Sequence, residues 1–260
     1  MDSNEVGRMW DANAEVWTQL ARAGYDTSRD RVNTPAFLAM LPEVKGLRGL
    51  DIGCGEGNNT RLLARRGARM EAFDISQTFV KYASESEAQE PLGIHYQIAN
   101  AHAIPFADAT FDFATSFMCL MDMPEPERGM REAYRVLKPG GFFQFSITHP
   151  CFLTPTWRWV RDEQGNRIGV VCGQYFDQKA GRIDEWIFGA APAELKQKYP
   201  KFRIAYFDRT LSEWLNTLLE AGFVLERVCE PTVDPETARR EPGLADHRLV
   251  AYFLIVRGRK

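Results

Sequence analysis

The sequence predicts a doubly wound α/β fold: a seven-stranded, mostly parallel sheet with helices on both faces, an N-terminal helical lid and an antiparallel aromatic cap inserted after the fifth strand. Three observations lead there. Short apolar runs alternate with helical stretches from residue 47 onward, a glycine-rich turn joins the first run to its helix, and the rhythm breaks after residue 147 to resume near residue 208. Strand–helix–strand alternation implies right-handed crossovers and a parallel sheet covered on both faces.

Residues 4–23 read as an amphipathic helix, because Trp10, Ala14 and Trp17 fall on one face at i, i+4 and i+7. A second short helix is expected to start near Pro35, a favoured first-turn residue, and to end before Pro42. Strands are expected at residues 49–52, 70–73, 95–98, 111–117 and 142–147, with helices over 58–66, 77–87 and 125–137. Residues 148–207 lack this period and carry a hairpin signal at 162–166, between Trp/Val-rich and Ile/Val-rich runs. A helix over 211–221 is closed by Gly222, strands at 223–229 and 249–256 follow, and the polar, proline-punctuated stretch 231–246 between them reads as a surface loop. The organisation is therefore a helical lid (1–46), a cofactor-binding core (47–147), an inserted substrate cap (148–207) and a C-terminal completion of the sheet (208–260).

Composition narrows the function. With 45% hydrophobic and 26% charged residues, the chain is neither disordered nor fibrous. A net charge of −3 offers no global attraction for nucleic acid or anionic lipid. Cys54, Cys119, Cys151, Cys172 and Cys229 are isolated, with no C-x-x-C pair, so neither a metal site nor a disulfide framework is signalled. The first residues carry acids and no apolar core, and the longest uncharged run, 139–157, holds three prolines, so neither a leader nor a membrane span is expected. These features point to a cytoplasmic protein, and the sequence leaves open whether it forms a homodimer.

The sharpest feature is Leu50-Asp-Ile-Gly-Cys-Gly-Glu-Gly-Asn58, a strand running into alternating glycines and then a helix for which Asn58, Asn59 and Thr60 suit an N-cap. Glycine lets the backbone turn sharply and approach a ligand closely. The spacing is G-x-G-x-G rather than G-x-G-x-x-G, and an acid, Asp51, sits at the mouth of the turn. A pyrophosphate wants bare N–H groups there, whereas an acid suits an ammonium or sulfonium group. A second acid, Asp74, ends the next strand 23 residues on, where it can accept ribose hydroxyls. The pattern asks for a nucleoside without phosphate.

Together with Asn100-Ala-His-Ala-Ile-Pro-Phe106, Phe111-Asp112 and Arg135-Val-Leu-Lys-Pro-Gly-Gly141, these residues resemble the class I S-adenosylmethionine-dependent methyltransferases, which share a Rossmann-like fold. The resemblance is nearest to the methyltransferase type 11 group that includes ubiquinone and menaquinone C-methyltransferases. It implies S-adenosylmethionine as cofactor and S-adenosylhomocysteine as product. Carried over, it implies that Asp51 and the backbone of Gly53, Cys54 and Gly55 hold the methionine part, and that Asp74 takes the ribose with Ile75 beside the adenine. Asn100, Ala101 and His102 match the segment at the adenine edge, with Asn100 standing where the family usually has Asp. The segment 115–118, with Phe117 and Met118, would lie beneath the transferred methyl, and Trp17, within an aromatic-Asp-x-x-Ala-x-x-aromatic start, would cover the methionine end. Packing of both tryptophans on the core explains that start equally well. Arg29 and Arg31 are both candidates for the cofactor carboxylate.

An acceptor should bind beyond the carboxyl end of the fifth strand, where Ser146-Ile-Thr-His-Pro-Cys-Phe152 follows. His149 is the histidine placed to act as a general base or to touch the substrate, whereas His95 and His247 read as surface or strand residues. Fifteen of the 31 aromatic residues lie between Gly141 and Trp214, and Trp157, Tyr175, Trp186 and Tyr206 are candidate walls of an acceptor pocket. Trp159, Phe176 and Phe207 are further aromatics of this cap, and Glu185, Asp208 and Arg209 are polar candidates beside it. The expected reaction is methyl transfer to a small-molecule N, O, C or S nucleophile. The competing readings are a non-catalytic cofactor-binding module, a nucleic-acid methyltransferase that would use the Arg61, Arg65, Arg66, Arg69 cluster, and an NAD-dependent dehydrogenase, which the glycine spacing and Asp51 disfavour.

Overall fold

The computed structural model describes residues 1–177 and 180–260. The helices are α1 (Ser3–Arg22), α2 (Thr34–Met40), α3 (Asn58–Arg65), α4 (Gln77–Gln89), α5 (Pro126–Val136), α6 (Ala193–Lys198), α7 (Leu211–Glu220) and α8 (Pro235–Arg240). The strands of the main sheet are β1 (Arg48–Ile52), β2 (Arg69–Asp74), β3 (His95–Ile98), β4 (Phe111–Phe117), β5 (Leu137–Thr148), β10 (Val224–Cys229) and β11 (Phe253–Arg259). Their order is β10-β11-β5-β4-β1-β2-β3, with β11 antiparallel between β5 and β10 and every other neighbour pair parallel. The chain winds outward in one direction from β1 to β3 and in the other from β4, so a crevice opens beyond the carboxyl ends of β1 and β4.

Side-chain alternation along the strands builds a core on each face. Leu50, Ile52, Phe143, Phe145 and Ile147 pack with Met130 and Ala133 of α5 and Trp214 and Leu218 of α7. Met70, Ala72, Phe113, Phe142 and Ile255 pack on the other face with Phe37 and Leu38 of α2 and Leu63 of α3. Two buried polar residues of β5 fasten the second face: Gln144 Nε2 donates to Phe37 O at 2.8 Å, and Asn33 Nδ2 donates to Ser146 Oγ at 3.0 Å.

The insertion forms two antiparallel pairs, the hairpin β6 (Thr156–Arg161) with β7 (Arg167–Gly173), and β8 (Ala180–Trp186) with β9 (Phe202–Phe207). α1 lies on β9, where Asn13 Nδ2 donates to Arg203 O at 2.8 Å and Asn13 Oδ1 accepts from Arg203 N at 3.2 Å. Trp17 packs edge-on to Trp186 and Phe188 and tilted against Phe202, with ring centroids 4.8–5.4 Å apart, so lid and cap share one small aromatic core.

Several sequence expectations need correcting. Residues 231–246 contain α8 and, with Arg248, a 3-10 segment (Pro242–Arg248), and they bury Val233 and Leu244. The last strand begins at Phe253 and runs to Arg259 instead of ending at Val256. Arg257, just past the expected end of that strand, is buried, with Nε on Glu226 Oε2 at 2.8 Å and Nη1 on the Met40 carbonyl. His247 is buried rather than superficial, its Nε2 3.0 Å from Ser28 Oγ and its ring 4.6 Å from that of Tyr252. The cap of α3 is Gly57, which has a positive φ of 85°, and none of Asn58, Asn59 or Thr60 plays that part. Among the described residues no helix is long and apolar enough to cross a membrane.

Gly49 sits opposite Phe113 in the β1–β4 register, and a Cβ there would lie 2.2 Å from Phe113 Cζ and 2.7 Å from Met70 Sδ. Gly49→Ala should therefore overpack the core and lower the unfolding free energy by about 1–3 kcal/mol, read from the urea midpoint. An unchanged midpoint would show that the Phe113 ring has room to move.

Candidate active site

The turn after β1 is fixed from below. Gly53 N and Cys54 N both donate to Phe73 O at 3.0 Å, and Gly55 N donates to Asp74 Oδ2 at 2.9 Å. Gly53 has a φ of 72°, and a Cβ there would fall 2.2 Å from Cys119 Sγ, so both conformation and space demand glycine. The turn after β2 is held by the same acid, because Ser76 N donates to Asp74 Oδ1 at 2.9 Å.

Asp51 is 1% exposed, and each of its oxygens accepts from a hydroxyl: Thr60 at 2.6 Å and Thr115 at 2.9 Å. Burial, only partly offset by those two hydrogen bonds, pushes its carboxyl up to about 6. Burial also raises Asp74 despite the backbone N–H groups on it. Two desolvated acids beside one another favour a cation in the crevice, and each Asp74 oxygen retains a lone pair for a hydroxyl donor. The residues present thus fit a positively charged nucleoside that carries no phosphate.

These groups line one cavity of about 1170 Å³, larger than the roughly 1,000 Å³ upper range of a single small-molecule site. Its inner half holds Asp51, Gly53, Cys54, Gly55, Asp74 and Ile75, with Asn100, Ala101, Phe117 and Met118 beside them and Trp17 from the lid. Met118 has a positive φ of 50°, with its N–H donating to Ser146 O at 3.0 Å; strain in a non-glycine residue at a strand end commonly marks a functional position. Asn100 Oδ1 accepts from His102 N at 2.9 Å, which orients the amide and leaves its Nδ2 as a donor. Of the two arginines, Arg29 lines the cavity, set among Asp26, Asp30 and Glu56, whereas Arg31 faces outward toward Glu241. Glu56, quoted in the glycine motif without a role, joins the lid to the turn through Arg22 and Arg29.

The outer half holds Trp157, Trp186 and Tyr206, as well as Trp159 and Glu185. Three expectations fail here. The ring of His149 is buried against Glu230, with Nε2 2.7 Å from Glu230 Oε1 and Nδ1 accepting from Cys151 N at 3.2 Å. Neither nitrogen is spare for a substrate, and His149 is absent from the cavity wall. Tyr175 also lies outside it: its hydroxyl accepts from Leu211 N at 2.7 Å, which makes it a fastener of α7. The His102 ring is held by Ser3 Oγ at 3.0 Å and does not line the cavity. Asp208 is taken by Arg182 and Arg209 by Glu127 at 3.0 Å, while Phe176 is exposed and Phe207 packs with Val6. Three arginines of the basic cluster are engaged: Arg61 and Arg65 bind Glu90, and Arg66 donates to Leu38 O at 2.6 Å, while Arg69 stays exposed at the start of β2. Asp122, which no sequence signal marked, lines this outer half together with Arg182 and Asp184.

Comparison with known proteins agrees with this geometry. The family described as "Methyltransferase domain" matches residues 50–145. An uncharacterized protein of Mycobacterium tuberculosis is 36% identical over 107 residues, covering 41% of this chain and 39% of that protein. A ubiquinone biosynthesis O-methyltransferase of Coxiella burnetii is 32% identical over 155 residues, covering 58% of this chain and 64% of that enzyme. The match thus spans less than two thirds of either relative's length. The crystal structure of an S-adenosylmethionine dependent methyltransferase from Mesorhizobium loti superimposes with a TM-score of 0.72 at 30% identity, covering 87% of this chain and 96% of that one. The chain belongs to the class I S-adenosylmethionine-dependent methyltransferases, and family and fold imply S-adenosylmethionine as its cofactor.

Burial pushes Asp26 as well as Asp51 up to about 6. A carboxyl raised on folding binds its proton more tightly in the native state, so its stabilising effect is complete below the unfolded value near 3.8 and is lost as pH rises through about 6. Asp51→Asn should remove one of these contributions and flatten the fall in unfolding free energy between pH 4 and 6 by about 2–3 kcal/mol. The same slope in both proteins would show that Asp51 titrates normally.

Proposed function

We propose that this protein transfers the methyl group of S-adenosylmethionine to a small-molecule nucleophile held under the aromatic cap. One observation carries the reading: the cavity runs unbroken from the glycine turn to Trp157, Trp186 and Tyr206. In this reading Asp51 and the backbone of Gly53, Cys54 and Gly55 hold the methionine part, and Arg29 takes its carboxylate. Asp74 accepts the ribose hydroxyls, Ile75 and Ala101 flank the adenine, and Asn100 donates to its edge. Trp17 closes the methionine end, and Phe117 and Met118 lie under the methyl.

When bound, the cofactor supplies an already activated methyl group on a cationic sulfur. The protein's own task is alignment and exclusion of water. The lid and cap perform both, since their shared aromatic core of Trp17, Trp186, Phe188 and Phe202 covers the crevice. His149 is left out of the mechanism. The relative named for ubiquinone biosynthesis supports a small-molecule acceptor. The acidic balance and the engaged Arg61, Arg65 and Arg66 support action in the cytoplasm without nucleic acid or membrane.

Calorimetry should show binding of S-adenosylmethionine and S-adenosylhomocysteine and none of NAD; the reverse pattern overturns the proposal. Asp74→Ala should weaken S-adenosylhomocysteine binding by about 1–3 kcal/mol while the far-ultraviolet circular dichroism is kept. Equal affinity would place the ribose elsewhere.

A further inference from the structure

We infer that Asp122 is the acceptor-binding residue and that the acceptor presents a basic nitrogen, a primary or secondary amine, to it. The inference rests on the methyl-transfer reading above and deepens it.

Asp122 ends a 3-10 turn (Leu120–Asp122) that follows β4, four residues beyond Met118, with its N–H on Cys119 O at 3.0 Å. That places its side chain in the wall of the outer cavity, next to the site assigned to the methyl group. The residue is 5% exposed, and Oδ1 is buried without a hydrogen-bond partner among the described residues. A buried oxygen left unpaired is costly, which makes it a strong pointer to a missing partner.

The other ionic groups of the outer cavity already have partners. Arg182 grips Asp208 through two bonds of 2.9 and 3.0 Å and also binds Asp184. Arg167 pairs with Asp246, and Glu185 with Arg203 at 3.1 Å. No cation of this cluster is free to meet an anionic acceptor, while one acid is free to meet a cationic one. The groups facing Asp122 are Asp184, Tyr206 and Cys119, with Arg182 lying 5.3 Å over the Tyr206 ring. Asp184 adds to the effect of burial, and both push the Asp122 carboxyl upward, so it holds a proton more readily than an exposed acid does. Trp157 and Trp186 in the same cavity add aromatic surroundings that favour a cation, while the Trp159 ring already carries the Arg167 guanidinium at 4.5 Å. A neutral alcohol would satisfy the hydrogen bond alone; an amine also gains the acidic and aromatic surroundings.

A buried carboxyl and an amine hold one proton between them, and this arrangement suits the chemistry. With the proton on Asp122, the nitrogen lone pair is free. It forms the new bond to the methyl carbon as the carbon–sulfur bond breaks, and that electron pair stays on sulfur. The sulfonium becomes a neutral thioether, the positive charge moves to the methylated nitrogen, and charge and protons balance without a further reactant.

The test uses full-length protein saturated with S-adenosylhomocysteine, titrated with phenethylamine and with its neutral counterpart 2-phenylethanol at pH 7. The amine should bind at least tenfold more tightly. Calorimetry in buffers of different ionisation heat should show net proton release when the amine binds and none when the alcohol binds. Asp122→Asn should abolish the preference and the proton release, and Asp122→Glu should restore both in part. Unchanged S-adenosylhomocysteine affinity in each variant establishes that the fold is intact. Equal binding of amine and alcohol, no binding of the amine, or full retention of the preference by Asp122→Asn overturns the inference. Failure of the wild-type protein to bind S-adenosylhomocysteine overturns the methyltransferase reading instead, so the two failures are separable.

Discussion

The carboxylate of Asp74 accepts from Gly55 N and Ser76 N, so one buried acid ties the turn after β1 to the turn after β2. Much of the crevice depends on that tie. It keeps the glycine backbone and Ile75 on a common rim, and it leaves Asp51 and Asp74 desolvated side by side. The arrangement is costly in the absence of a ligand, because neither acid has a cationic partner among the described residues. A cationic nucleoside relieves that cost, and the same electrostatics disfavour a pyrophosphate. The most conspicuous turn in the sequence and the selectivity of the site thus share one origin.

The lid and the cap are separated by the whole core, residues 47–147, yet they pack together through one aromatic core. Asn13 bonds the Arg203 backbone on both sides, and Trp17 sits among Trp186, Phe188 and Phe202. At the other end of α1, Arg22 binds Glu56 in the glycine turn, and within the helix Asp11 accepts from Ser76 Oγ and Thr78 N at 2.8 Å. Trp17 therefore packs in a core and lines the cavity, which reconciles two readings that seemed to compete. Movement of the lid has to carry part of the aromatic wall with it.

The central strands and helices were legible because their period is local. The run 111–117 reads as a buried strand from its own composition, and the structure ends β4 at the same residue. Polar residues at decisive positions were harder. His149 looked like a base because it follows β5, but its partner Glu230 arrives from 81 residues away and turns the ring from the cavity. The expected last strand stopped at Val256, short of Arg257, whose partners, Glu226 and the Met40 carbonyl, are distant in sequence. Asp122 carried no signal, since nothing near it in the chain shows that one of its oxygens would be buried alone.

The sequence by itself determined the sheet, the position of the crevice and the character of the cofactor. Each follows from short-range patterns: apolar periodicity, glycines in a tight turn, and acids at the ends of two neighbouring strands. Only the tertiary structure decided which side chains are free to act. Whether a charge is neutralised or left without a partner depends on groups brought together from remote segments. That put Arg29 rather than Arg31 in the cavity wall, kept His149 and Tyr175 out of it, and left Asp122 Oδ1 without a partner among the described residues.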